Sequence, residues 1–190
     1  NYQITVEMKE YDPEMDMLLF YLPLSGSAFK KTYYDRVVTR PVSKFVPAED
    51  IIVPYGTTDL ESAQRIAQRI SMPMNELKKL QFINFYKDVE VLPSDNSTYG
   101  SSIRDEEDSL EGVHPSYSDD NLIVYELHAF IDLPDFPHRD ENGEETGIAL
   151  PYIVTIDEGS GEILSIRRNY YPEDPFTKIE YFIHYKFLPG

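Results

Sequence analysis

Between residues 88 and 145 the chain carries 17 acidic side chains against only Arg104 and Arg139. Within this region the stretch 95–120 is so polar and charged that it cannot bury enough apolar surface to offset the entropy lost on ordering. It divides the apolar sequence into two blocks, 1–94 and 121–190, joined by an acidic loop or linker over 95–120. Elsewhere 17 acids face 15 bases, so most of the net charge of -17 belongs to this one region. The groups of basic residues are pairs rather than patches, Lys30-Lys31, Lys78-Lys79 and Arg167-Arg168, which are expected on solvated faces. Nucleic-acid binding needs a basic footprint that pairs do not provide. The absence of cysteine excludes disulfides, thiolate metal sites, Fe–S clusters and cysteine nucleophiles. The apolar run 17–22 is far shorter than the roughly 20 residues that cross a bilayer, so no membrane partner is expected. The chain opens on Asn1 and closes on Gly190 just after a strand-like run, which suggests a piece of a longer polypeptide.

In the first block, 4–8 alternates in polarity as a half-buried strand does. Residues 14–22 suggest a short buried helix stopped by Pro23, with Gly26 allowing a sharp exit. Strands are expected over 29–34 and 42–46, joined by a connection over 35–41, with a further buried strand at 51–53. Leu60, Ala63, Ile66, Ala67 and Ile70 recur at intervals of three and four, and Thr57, Thr58 and Asp59 precede them as capping residues. That spacing predicts an amphipathic helix. A second helix is expected from Met74 or Asn75 to Tyr86, with Leu77, Leu80 and Ile83 inward, the pair being joined near Ser71-Met72-Pro73. In the second block four apolar runs, 122–133, 148–156, 163–168 and 179–188, are separated by the turn-forming clusters 141–143, 157–161 and 172–175. The expected fold is α+β: mixed strands with a helix pair over 1–94, then a four-stranded antiparallel meander over 121–190.

No chemistry-bearing constellation emerges. Gly143 placed at the sixth position of an EF-hand loop puts His138 and Ala149 where carboxylates are required, so 140–143 reads as an acidic turn. His114, His128, His138 and His184 form neither an i,i+4 pair nor HExxH, and are expected to be scattered polar or half-buried residues. The chain contains no Walker loop, GxGxxG or Gly-x-Ser-x-Gly elbow. Carboxylate pairs carry no signal in a chain with 34 acids. No catalytic, cofactor-binding or metal-ligating residue is therefore assigned, no cofactor is expected, and the chain is not expected to be an enzyme.

Three stretches, 22–35 (LPLSGSAFKKTYYD), 45–61 (FVPAEDIIVPYGTTDLE) and 150–169 (LPYIVTIDEGSGEILSIRRN), together with 181–190 (YFIHYKFLPG), resemble portal proteins of tailed bacteriophages, particularly the large portals of short-tailed phages. The resemblance keeps its order along the chain and omits the acidic 95–120 region. It implies a structural subunit of a cyclic homo-oligomer, usually a dodecamer, at one capsid vertex, through which DNA passes without sequence-specific binding. It further implies contacts with capsid, scaffold, terminase motor and head-completion proteins through the parent chain. ATP hydrolysis would reside in the motor. The protein would be found in the virion after assembly in the host bacterial cytoplasm, and this piece would be the outer, wing-like part. The acidity fits such a role by repelling packaged DNA, and fits simple solubility equally. Two other classes carry their own expectations: a receptor- or glycan-binding module would show a shallow aromatic pocket, and an acidic hydrolase two convergent, partly buried carboxylates.

Overall fold

The computed structural model describes residues 8–91 and 121–187. The expected strand at 4–8, apart from Met8, and the 95–120 segment lie outside those residues. The fold is α+β, with two α-helices and two antiparallel sheets among the described residues.

The first helix, α1 (Tyr11–Ser25), has Asp12 and Glu14 in its first turn, where the amide ends favour negative charge. It does not stop at Pro23. Gly26 takes the left-handed conformation at φ 71° and donates its amide to the Leu22 carbonyl at 2.9 Å, so the helix closes two residues beyond the proline. Nor is it the buried helix expected, since only Leu18 is fully enclosed.

Strand β1 (Ser27–Asp35) pairs antiparallel with β2 (Arg40–Pro47), Ala28 opposite Pro47 and Asp35 opposite Arg40. The Asp35 carboxylate shapes the turn by accepting the amides of Val37 and Val38 at 2.8 and 3.1 Å. A single 3-10 turn (Ala48–Asp50) leads into β3 (Ile51–Ile52). This strand is not buried as expected: Ile52 and Val53 are exposed.

The expected helix over 60–70 is instead β4 (Arg65–Pro73), which pairs with β3 at Ile51 opposite Gln68 and Ile52 opposite Ala67. Asp59 does act as a cap, accepting the Ser62 amide at 2.8 Å, but the turn it starts goes no further. Ile66, Gln68, Ile70 and Met72 are a period-two set, and in a strand they share one face; Leu60 and Ala63 are buried from the preceding loop. The even-numbered members of the helical stripe thus fit both periods, and pairing with β3 selects the strand. The helix pair dissolves accordingly. Pro73 ends β4, and α2 (Met74–Phe82) follows directly. It stops short of Tyr86 because Asn84 adopts φ 55°, while the amides of Phe85 and Tyr86 turn back to the Leu80 carbonyl. Leu77 is buried as expected, but Ile83 is exposed.

The remaining strands are β5 (Asn121–Ile131), β6 (Leu150–Asp157), β7 (Ile163–Arg168) and β8 (Phe182–Lys186). The order in one sheet is β3-β4-β5-β6-β7, so β5, β6 and β7 form the expected meander. The fourth run departs from it: β8 joins β1 in the sheet β2-β1-β8, with Ser27 opposite Lys186 and Lys31 opposite Phe182. The β6–β7 turn is fixed by Asp157, whose Oδ2 accepts both the amide and the hydroxyl of Ser160 at 2.8 and 2.6 Å.

The contacts define two compact units. One is drawn from Asn1–Arg69, Glu126–Val154 and Ile166–Gly190, the other from Ile70–Tyr125 and Thr155–Ser165. Each takes residues from both sequence blocks, so neither coincides with 1–94 or 121–190. The first has a core of Phe29, Val46, Leu60, Ala63, Ile66 and Phe182; the second, one of Met72, Leu77, Tyr86, Val91, Leu122, Val124 and Leu164. Ile66→Asp is expected to cost roughly 3 kcal/mol or more by burying an unpaired charge. Leu122→Ala is expected to cost roughly 2–5 kcal/mol by leaving a cavity. Thermal melts of the two variants check both cores, and an unchanged transition in either one refutes the packing described for that unit.

Candidate functional site

The first unit encloses a group of charged side chains delivered by three strands. Lys31 comes from β1, Glu126 and His128 from β5, and Arg167 from β7. Lys31 Nζ lies 2.7 Å from Glu126 Oε1 and donates at 2.8 Å to Gln68 Oε1 on β4. His128 Nε2 is 2.7 Å from the same Glu126 oxygen, and Arg167 Nη2 lies 3.2 Å from the other. Phe182 covers the group: Lys31 Nζ sits 5.4 Å from its ring centre, and the His128 imidazole meets it edge-on at 5.2 Å. Lys31, Glu126 and His128 are all buried.

Two adjacent lysines expected on a solvated face are thus inside the protein. Lys31 is paired as described. Lys30, only 1% exposed, places its ammonium 3.8 Å from the centre of the Tyr11 ring and has no hydrogen-bond partner among the described residues. Lys78 and Lys79 are exposed, as expected.

Burial favours the neutral form of Glu126, but Lys31, the His128 hydrogen bond and Arg167 outweigh it and hold the carboxyl well below its ordinary range. Burial lowers the basicity of Lys31 and of His128, with Glu126 opposing in each case. A neutral His128 must carry its proton on Nε2 to donate to Glu126. The cluster is an occluded carboxylate neutralised by cations. It is not the pair of convergent carboxylates that glycoside hydrolysis uses. The sequence offered one cue to it: Glu126 and His128 are polar residues two apart within the apolar run 122–131, and a strand puts such residues on one face.

On the other face of β5, Leu127, Ala129 and Ile131 form the half-buried floor of an open cleft of about 670 Å³. Its far wall is the loop from Pro54 to Thr58 together with Ser62, Gln64 and Arg65. Gly56, at φ 85°, makes the turn that leaves the Tyr55 side chain wholly in solvent at the rim. The Thr57 amide and hydroxyl both bind the Pro54 carbonyl, at 3.2 and 2.7 Å, and fix the loop.

The remaining histidines are scattered, as expected. His138 contacts Thr146 and Phe176, and His184 stacks on Phe29 and bonds Ser27; His114 lies outside the described residues. The acidic sequence 140–143 is a turn in which Asp140 Oδ1 accepts the amides of Asn142 and Glu144. Among the described residues no group of three or more His, Asp or Glu side chains is placed to hold a metal ion. No described helix is long and apolar enough to cross a membrane. The chain matches no protein-family model and no curated protein.

The cluster makes stability depend on pH in a definite direction. With the basicity of His128 lowered from 6.5, the unfolded chain takes up a proton near and below that pH that the folded state refuses. Glu126 behaves alike below its ordinary 4.5, since its carboxyl is held down in the fold. Both contributions are therefore present at neutral pH and lost on acidification. Relief of repulsion among the excess acids acts the other way, so the informative quantity is the difference between proteins. Melting temperatures measured from pH 7.5 to 5 should fall more steeply for the parent than for His128→Gln, and equal slopes would remove His128 from the account. Glu126→Gln should lose roughly 3–5 kcal/mol at neutral pH, because Lys31 is left as an uncompensated buried charge.

Proposed function

We propose that this chain is a wing-like part of a portal subunit of a tailed bacteriophage, a structural component of the ring through which DNA is packaged and ejected. The observation that carries the reading is the ordered resemblance over 22–35, 45–61, 150–169 and 181–190. Those residues supply the end of α1 and all of β1, the path from β2 through β3 to the cleft loop, the β6–β7 hairpin and β8. The role is architectural, with self-association into a cyclic homo-oligomer and partnership with capsid, terminase and head-completion proteins through the parent chain. The protein would act in the virion.

The outer face of α1 supports the reading. Met17, Phe20 and Leu24 follow the i, i+3, i+7 spacing and are all exposed, Phe20 and Leu24 by about two thirds. So large an apolar stripe on a fixed helix is what a subunit presents when a neighbouring copy covers it.

Negative-stain images of the protein expressed from its whole reading frame test the proposal. Closed rings with a central hole are expected, and discrete monomers across salt and protein concentration would overturn it. Phe20→Ser combined with Leu24→Ser should leave the melting temperature of this chain nearly unchanged, because both side chains already face water, while weakening ring formation. Rings that assemble normally from this variant would remove α1 from the subunit contact.

A further inference from the structure

The cleft beside β5 has a wall, a floor and a set of polar groups that the fold itself does not use. Tyr55, Gln64 and Arg65 all line it and all are exposed, and among the described residues none has a hydrogen bond, ion pair or ring contact through its side chain. Some groups of the same types elsewhere in the unit are engaged. Tyr21 stacks on Phe45 at 5.3 Å, Gln68 accepts from Lys31, and Arg40 pairs with Glu10. An unused aromatic ring, amide and guanidinium thus border one concavity that Leu127, Ala129 and Ile131 also line.

This arrangement selects for ligand chemistry. An occupant must present an apolar surface to the floor and a flat face to Tyr55, while offering hydroxyl or carbonyl oxygens to the donors of Gln64 and Arg65. A sugar ring has this pattern, with C–H groups on its faces and hydroxyls around its edge. The cleft volume of about 670 Å³ lies within the usual range of ligand sites, and its open form admits a chain of linked rings. Polyanions fit poorly, since one guanidinium faces a chain of net charge -17. The wall is fixed before any ligand arrives, by the Thr57 bonds to Pro54 and by the Asp59 bond to Ser62, so little ordering cost falls on binding.

We propose that this cleft binds a neutral oligosaccharide, with Tyr55 as the stacking platform and Gln64 and Arg65 as hydrogen-bond donors to its hydroxyls. The inference stands on the cleft alone and does not depend on the portal reading, so the outcome of ring assembly leaves it untouched.

The test is titration calorimetry of this chain with maltohexaose, cellohexaose and chitohexaose in turn, and with a single-stranded oligothymidylate. Saturable binding of at least one hexasaccharide is expected, with none of the oligonucleotide. Tyr55→Ala and Gln64→Ala should each weaken that binding about tenfold, equivalent to about 1.4 kcal/mol, with the melting temperature unchanged because both side chains are exposed. Three results would overturn the proposal: no binding of any hexasaccharide at millimolar concentration, hexasaccharide binding that survives both substitutions, or preferential binding of the oligonucleotide.

Discussion

The first unit is organised around one carboxylate. Glu126 receives Lys31 from the three-stranded sheet and Arg167 and His128 from the five-stranded one, so a single residue joins β1, β5 and β7. An isolated carboxylate at that depth would be far too costly to keep ionised, and two cations with a neutral imidazole donor make it tolerable. Such a cluster gives up in desolvation much of what it gains in attraction. Its larger consequence is selectivity, because an arrangement of these strands that parted Glu126 from Lys31 or Arg167 would leave a buried charge uncompensated. Phe182 on β8 closes the group from one side, and through β8 this closure reaches the last part of the chain.

What the sequence revealed and what it concealed divide along the range of the interactions involved. The β1–β2 and β6–β7 hairpins were legible because alternation and turn chemistry are written within a few residues: Asp35 holds one turn, Asp157 and Ser160 the other. The path of β8 was not legible. Ile179 to Leu188 reads as one more strand of a local meander, and nothing within it records that its partner is β1, at the other end of the chain. The segment 60–73 was misread for a related reason. Its apolar residues satisfy a helical and an extended period together, and the decision falls to the β3 residues Ile51 and Ile52.

The candidate sites follow the same division. Lys31, Glu126 and Arg167 are far apart in sequence, and each residue type is common in this chain, so only the fold brings them together. The cleft depends on Gly56 turning Tyr55 outward and on the pleat of β5, which sends Glu126 and His128 one way and Leu127, Ala129 and Ile131 the other. One strand thus separates an occluded, ion-paired group from an open surface with unused donors. The first is suited to holding the fold, the second to meeting another molecule.

The attachment of α1 reverses the usual relation of a helix to its protein. An amphipathic helix ordinarily buries its apolar stripe and shows water its charges. Here the inward side holds Leu18 and a set of polar or aromatic latches. Glu14 accepts the Phe45 amide at 2.6 Å, Glu10 pairs with Arg40 at 2.7 Å, Tyr11 lies under the Lys30 ammonium, and Tyr21 stacks on Phe45. Burial lowers the basicity of Lys30, with the charges of Glu14 and Asp12 opposing, so the acidic first turn of the helix helps to keep that buried amine charged. The helix is thereby fixed in direction by hydrogen bonds and charge, while Phe20 and Leu24 remain in water. Directional contacts and the buried Leu18 hold α1 without drawing on Met17, Phe20 or Leu24, so the hydrophobic free energy of that outer stripe is available to any surface that covers it.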